Sequence, residues 1–248
     1  ADPHDYQPSA RQVAAIQEAD LVIANGLGLE EGLTDVLESA AADGANVLAV
    51  APLLDPIVFG ADHADSHSDE AETGDDPHVW LDPLRMAAAS RIVAEELSRI
   101  DESGDWIVRG SVYADALTTA DKDIQATLEV VPRANRKLVT NHDALGYFAS
   151  RYEFEVVGVV IPGGSTLAEP SSAELTELVS VVEREQVQAI FAETTNPEVL
   201  ADAVAAEAGG EVIVVELFTG SLGDSGSGAA SLIDMLTSNA HRIAEALS

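Results

Sequence analysis

The sequence predicts an α/β fold with two lobes, each a parallel sheet flanked by helices. Short runs of unbroken apolar residues alternate with longer amphipathic patterns, which is typical of strands that helices cover on both faces. The alternation occurs twice, and one long helical stretch, from Trp106 to Val131, separates the two halves. After Gly110 this stretch holds no proline or glycine, so its ~20 residues would extend about 30 Å, close to a domain diameter. We therefore predict a rigid linking helix at residues 105–132, between a first lobe at 1–104 and a second lobe at 133–248.

Each half contributes its own strands and helices. Apolar segments predict strands at residues 21–25, 46–50, 137–140, 155–160, 189–192 and 211–215. Ser171 and Ser172 predict the start of a helix that runs to about Arg184. Apolar residues at three- or four-residue spacing predict a last helix from Leu232 to Leu247.

The charge balance excludes several classes of partner. There are 44 acidic residues against 12 basic ones, which gives a net charge of −32. Nucleic acid and anionic membranes bind clustered Lys and Arg, so we expect neither as a partner. Abundant Asp and Glu with scarce Lys resembles proteins from salt-loving organisms, where high ionic strength screens self-repulsion.

Three of the six histidines lie in short, well-defined local contexts. His142 follows the strand that ends at Thr140, His78 precedes a helix that Asp82 and Pro83 open, and His4 precedes a helix near Pro8. Neutral imidazole is the commonest protein ligand for zinc, and the carboxyl ends of parallel strands gather ligands. One such histidine alone would more often be structural, but three together favour a metal site. Because the chain has no cysteine, a transition-metal site has to use histidine and carboxylates.

Several motifs together carry a resemblance to a known family. They are Asp-Pro-His-Asp-Tyr-Gln-Pro at residues 2–8, Asn-Gly-Leu-Gly-Leu-Glu at 25–30, Asp-Pro-His-Val-Trp-Leu-Asp-Pro at 76–83, Asn-His-Asp-Ala at 141–144, Glu-Pro-Ser at 169–171 and Phe-Ala-Glu at 191–193. With these motifs the chain resembles, over nearly its whole length, the zinc/manganese solute-binding proteins of ABC importers (cluster A-I). The resemblance implies a metal between the lobes, with His4 and His78 supplied by the first lobe and His142 by the second. It also implies an extracytoplasmic location in the periplasm or at the cell surface, and delivery of the ion to a membrane permease. We expect a monomer that is not an enzyme.

The ligand set favours Zn²⁺ over Mn²⁺, because imidazole suits zinc and oxygen ligands suit manganese. The family usually adds an aspartate after the last strand, where this chain has Gly220. Asp224 or a water could replace that ligand, so the fourth position stays open. The acidic loop at residues 60–77 carries His63 and His67, and it is either a weak metal collector or a solvated insertion.

The front of the chain also departs from the family. Members normally begin with a strand, a helix and another strand, so we expect a first lobe that is incomplete at its N-terminus and a frayed segment around His4. The chain begins at Ala1 without a methionine, so an N-terminal segment was removed or never included, and a lipid-modified cysteine, if the protein has one, would lie in that segment.

Three alternatives to zinc uptake stay open. They are a manganese-binding homologue, a surface adhesin or metal buffer, and a zinc hydrolase. The hydrolase would need a base, for which Glu193 is the plausible residue, although it could equally orient a ligand.

Overall fold

The computed structural model describes residues 2–59, 74–195, 198–209 and 211–248. Its strands are β1 (Val22–Ala24), β2 (Val47–Ala49), β3 (Lys137–Thr140), β4 (Glu155–Val159), β5 (Ala189–Glu193) and β6 (Ile213–Leu217). Its α-helices are α1 (Ala10–Glu18), α2 (Thr34–Ala42), α3 (Pro83–Ile100), α4 (Trp106–Leu128), α5 (Gly146–Tyr152), α6 (Ser172–Glu185), α7 (Val199–Glu207) and α8 (Leu232–Leu247).

Each predicted strand forms, but the last one was predicted two residues too early. The sequence pattern placed it at 211–215, whereas β6 runs from Ile213 to Leu217. Its register with β5 decides the position, because Ala189 pairs with Ile213 and Glu193 pairs with Leu217. The apolar run alone does not reveal this register.

The strands of the described residues form two parallel sheets. β1 and β2 make a two-stranded sheet, and the other strands make a four-stranded sheet in the order β4-β3-β5-β6. The carboxyl ends of β3, β5 and β6 therefore lie side by side along one edge of the larger sheet, where ligands of parallel α/β sheets usually bind.

Helices cover both faces of the four-stranded sheet. Successive side chains of β5 point in opposite directions, so Phe191 joins the core formed with α4, α5 and α8, while Ile190 joins the core formed with α6 and α7. Both side chains are fully buried. This double coverage explains why β5 reads as an unbroken apolar run.

The long helix α4 contacts elements from both halves of the chain. At its N-terminal end Gly110 allows close approach to α3, because a Cβ there would lie only 2.4 Å from the Cβ of Ala94. Farther along, Asp121 accepts hydrogen bonds from Arg151 of α5 at 2.7 and 2.6 Å. At 1.5 Å per residue the helix is about 35 Å long. This one long helix therefore contacts α3 from the first half of the chain and α5 from the second half. Among the described residues, none of the helices combines the length and apolar character that crossing a bilayer requires.

Candidate metal centre

The structure brings the three predicted histidines together. The Nε2 atom of His78 lies 3.3 Å from Nε2 of His4 and 3.1 Å from Nε2 of His142. One ligating nitrogen from each residue lies within 4.8 Å of the other two. All three side chains are buried, with at most 3% of their surface exposed. Two nitrogens that bind one Zn²⁺ at tetrahedral angles and about 2.0–2.1 Å are roughly 3.3–3.4 Å apart, so the spacing suits a shared ion.

His78 is held by its own loop and by the end of β1. Asp76 accepts hydrogen bonds from the backbone N–H of His78 at 2.8 Å and from its Nδ1 at 2.7 Å. Asn25, directly after β1, donates to the carbonyl of Pro77 at 2.9 Å. A 3₁₀ turn follows at Val79–Leu81, and Asp82 caps α3 by accepting from the N–H of Leu84 at 2.8 Å. Hydrogen bonds on both sides of His78 along the chain, at Asp76 and Pro77 before it and at Asp82 after it, therefore hold its position.

His142 lies just beyond the carboxyl end of β3. The hydroxyl of Thr140 donates to the carbonyl of His142 at 2.7 Å, and the N–H of Asn141 donates to the carbonyl of Phe191 at 3.0 Å. The ring nitrogen Nδ1 of His142 is hydrogen-bonded to Glu193, the last residue of the neighbouring strand β5. Parallel pairing of β3 with β5 thus supplies both the imidazole and its carboxylate partner.

His4 lies in the segment that precedes α1, and this segment is not frayed at the histidine. His4 is only 3% exposed. Its backbone N–H donates to Asp2 at 3.0 Å, and the hydroxyl of Thr166 donates to the same carboxylate from the second half of the chain. The expectation of a loose segment was wrong because these contacts and the packing around the histidine cluster hold it.

Hydrogen bonds at Nδ1 fix how two of the rings can act. When Nδ1–H donates to a carboxylate, Nε2 carries the free lone pair that a metal needs. For His78 and His142 that lone pair points toward the shared centre. The two Nε2 atoms are 3.1 Å apart, so their lone pairs repel each other unless a proton or a cation lies between them.

Burial and charge act differently on the pKa values of the three imidazoles. Burial lowers the pKa of His78 well below its ordinary value and also lowers the pKa of His4. Burial has the same tendency at His142, but the hydrogen bond and negative charge of Glu193 outweigh it and raise the pKa. Glu193 therefore makes His142 easier to protonate than its burial alone would allow.

The carboxylates respond in opposite ways. Burial raises the pKa of Asp76 to about 8, against the lowering effect of the His78 backbone N–H. The contact between Asp76 and the neutral His78 is therefore a hydrogen bond rather than an ion pair. Burial also tends to raise the pKa of Glu193, but the hydrogen bond and charge of His142 reverse this and lower it.

The expected fourth position holds no side chain of its own. Gly220 lies beside the histidines and lines a narrow space. The other residues that line this space are Asp2, Pro3, His4, His78, Trp80, His142, Glu193 and Thr219. A Cβ at Gly220 would lie 3.1 Å from Cδ of Pro3 and 3.3 Å from Oγ1 of Thr195. Asp224, the other residue that the sequence left open as a ligand, is exposed and is not among the residues that line this space.

Sequence reasoning missed some supporting residues. It gave no role to Asp76, although the spacing of Asp76 and His78 around a proline is a usable signal for a local hydrogen bond. It also missed Trp80, whose Nε1 donates to the carbonyl of Thr219 at 2.7 Å across the two halves of the chain. No sequence signal predicts that contact. His63 and His67 lie outside the described residues, and His241 is an exposed residue of α8.

Comparison with known proteins gives consistent matches over nearly the whole chain. A family model described as "Zinc-uptake complex component A periplasmic" (ZnuA) matches residues 1–246. "Zinc-binding protein TroA" of Treponema pallidum is 33% identical over 254 residues, covering 99% of this chain and 78% of the relative. "Manganese-binding lipoprotein MntA" of Halalkalibacterium halodurans is 27% identical over 249 residues, covering 100% and 78%.

The solved structure of the periplasmic zinc-binding protein TroA from Treponema pallidum superposes with a TM-score of 0.84 at 30% identity. The match covers 100% of this chain and 88% of that one. The predicted α/β fold with parallel sheets flanked by helices is confirmed.

Proposed function

Because the chain belongs to the family of the periplasmic component A of the zinc-uptake complex, we propose that it captures Zn²⁺ for an ABC importer. His4, His78 and His142 are the proposed ligands. The observation that carries this proposal is the convergence of three buried imidazole nitrogens from distant segments within 4.8 Å. Their chemistry and spacing suit a transition metal better than any organic ligand, since the space between them is narrow.

Zinc is favoured over manganese by the type of ligand. Among the described residues the metal-binding cluster consists of histidines alone. Imidazole suits zinc, whereas carboxylate and carbonyl oxygens suit manganese. Manganese is the alternative, since the similar proteins include one named for manganese and one named for zinc.

A water is the proposed fourth ligand. Gly220 offers no donor at the place where the family usually supplies a carboxylate, and Zn²⁺ accepts three protein ligands plus water.

The partner in delivery is the membrane permease of the importer. We propose that the protein acts as a monomer outside the cytoplasm, in two lobes at 1–104 and 133–248 that the segment 105–132 links. The contacts of α4 with both α3 and α5 support this division. A net charge of −32 supports a salt-rich setting and argues against nucleic acid as a partner.

Transport rather than catalysis fits the surroundings of the site. A hydrolase would need a base free to activate the metal-bound water. Glu193 is hydrogen-bonded to Nδ1 of His142 and is only 3% exposed, so it orients a ligand. A surface adhesin or metal buffer would use the same metal site, and transport is distinguished from both by stimulation of a reconstituted permease.

The experiment is calorimetric titration of Zn²⁺, and then Mn²⁺, into metal-stripped protein. The wild-type chain should bind one Zn²⁺ tightly and Mn²⁺ much more weakly. His78→Ala should lose most of the zinc affinity, whereas His241→Ala, at an exposed position of α8, should match the wild type. Equal zinc affinity for His78→Ala and the wild type would overturn the proposed site.

A further inference from the structure

The three candidate ligands differ in whether Nδ1, the ring nitrogen that would not bind the metal, has a hydrogen-bond acceptor. A histidine that binds a metal through Nε2 carries its proton on Nδ1, and this N–H needs an acceptor. In this protein Asp76 accepts from His78 and Glu193 accepts from His142. Nδ1 of His4 is buried and has no hydrogen-bond partner. Leaving a buried N–H without a partner is costly, so the site as it stands is incomplete at one ligand.

A carboxylate lies just out of reach of this nitrogen. Oε1 of Glu31 is 3.7 Å from Nδ1 of His4, beyond hydrogen-bond distance by less than about 1 Å. The side chain of Glu31 is 42% exposed, so it has room to rotate. The carboxylate of Asp2 contacts the backbone of His4 and not its ring: it accepts from the backbone N–H of His4, and it also accepts from the hydroxyl of Thr166.

The backbone holds Glu31 beside His4. Glu31 begins a 3₁₀ turn, Glu31–Leu33, and the next residue is Gly32. A Cβ on Gly32 would lie 2.4 Å from the carbonyl oxygen of Tyr6, so the glycine allows the segment after His4 to lie directly on this turn. The distance between the two residues is therefore set by packing of the main chain.

Glu31 also contacts the other half of the chain. The hydroxyl of Ser165, in the loop between β4 and α6, donates to Oε1 of Glu31 at 2.7 Å. His4, Glu31 and Ser165 together line a cavity of about 340 Å³. A carboxylate has about four lone-pair sites, so one Glu31 side chain can accept from both Ser165 and His4.

We propose that Glu31 is a positioning residue for metal binding: when His4 binds the ion, its Nδ1–H donates to the Glu31 carboxylate, which Ser165 holds from the second lobe. The result is a third histidine–carboxylate pair, which connects the existing hydrogen bond between Ser165 and Glu31 to a metal ligand of the first lobe. This inference rests on the proposed function, and it assigns to Glu31 a role in zinc affinity that its exposed position does not reveal.

The test compares zinc affinities by competition with a chromophoric chelator in about 1 M NaCl, where the Debye length is about 3 Å and long-range charge effects are screened. Glu31→Ala should weaken zinc binding about 10-fold, as loss of such outer partners typically does. Glu31→Gln, which retains an acceptor oxygen, should lose less. The matched control is Glu38→Ala, which removes the same charge from an exposed position of α2 and should bind as the wild type does.

Two further readouts separate positioning from a structural effect. The unfolding midpoint of the metal-free protein should be the same for Glu31→Ala and Ser165→Ala, because without the metal both variants lose only the hydrogen bond between Ser165 and Glu31. Ser165→Ala should weaken binding in the wild-type background but add nothing to Glu31→Ala, since Ser165 acts through Glu31.

The outcomes distinguish this inference from the proposed function. If the wild type binds zinc and Glu31→Ala binds within twofold of Glu38→Ala, Glu31 does not position His4. If the effects of Ser165→Ala and Glu31→Ala simply add, the link between the lobes is refuted. A wild-type protein that binds no zinc would overturn the proposed function itself, and this inference with it.

Discussion

Replacing Glu193 by glutamine tests how the carboxylate behind His142 contributes to zinc affinity. In the present structure Glu193 is hydrogen-bonded to Nδ1 of His142, and both side chains are 3% exposed. Glutamine has nearly the same shape and keeps one acceptor oxygen, but it removes the negative charge. The perturbation is therefore electrostatic and leaves the packing of β5 unchanged.

The magnitude follows from the burial of the pair. Loss of an outer carboxylate partner typically weakens metal binding 10–100-fold, and each factor of ten corresponds to about 1.4 kcal/mol. Because glutamine still accepts the Nδ1–H hydrogen bond, we expect Glu193→Gln at the lower end, about 10-fold. Glu193→Ala, which leaves His142 without its buried partner, should approach about 100-fold.

The pH dependence sharpens this prediction. Glu193 raises the pKa of His142 against the effect of burial, so in the wild type a proton competes with zinc for Nε2 as the pH falls. In Glu193→Gln burial dominates, the pKa of His142 drops, and this competition weakens. The ratio of wild-type to variant zinc affinity should therefore be about 10-fold at pH 8 and smaller at pH 6.

The assay is zinc competition with a chelator at both pH values. Glu183→Gln, an exposed change of the same charge in α6, is the matched control and should bind as the wild type does at each pH. A variant affinity equal to the wild type at pH 8, or a gap that widens at pH 6, would refute the reasoning.

Four further predictions address stability, protons, salt and the fourth ligand. Asp121→Ala removes a carboxylate, 6% exposed, to which both Arg151 and the hydroxyl of Tyr152 donate, and leaves Arg151, within the described part of the chain, with only a 3.9 Å contact to Asp82. Urea unfolding should therefore show a loss of about 2–3 kcal/mol, whereas the exposed control Asp123→Ala should be near zero. Zinc binding at pH 7 should release protons, because the pKa of Asp76 is raised to about 8 and the bound cation favours the ionised carboxylate. Calorimetry in buffers of different ionisation enthalpy measures this proton release, which should vanish well above pH 8. The thermal midpoint should rise between about 0.1 M and about 1 M NaCl, since the Debye length falls from about 10 Å to about 3 Å and screens a net charge of −32; a flat or falling midpoint would contradict this. Gly220→Asp adds an oxygen donor beside the histidines and should lower the ratio of zinc to manganese affinity, measured by competition between the two ions, whereas an unchanged ratio would mean that the carboxylate does not reach the metal.

Much of the second half of the fold could be predicted from local sequence. β3 and β4 begin where the apolar pattern placed them, and α8 begins at Leu232 and ends at Leu247 as its spacing predicts. Such patterns work because burial on one or two faces leaves a periodic record in the chain. β6 was misplaced by two residues because the partner strand, and not the apolar run itself, sets its register.

The ligand chemistry open to this protein can be read from its amino-acid composition. Without cysteine, and with three histidines in distinct local motifs, a transition-metal site has to use imidazole and carboxylate ligands. The motifs also identified the family, because each is a short local pattern that can be recognised without knowing which parts of the chain meet in the fold.

The arrangement of those ligands depends on contacts between distant segments of the folded chain. Residues 51 to 74 positions apart become hydrogen-bonding neighbours at the site, and no local pattern records which partners will meet. The fold selected Glu193 for His142, turned Nε2 of His78 toward the shared centre, and left Nδ1 of His4 facing Glu31. Hydrogen bonds and metal binding require interatomic distances that are correct to within a few tenths of an ångström, and only sheet register and helix packing together set distances between remote segments that closely.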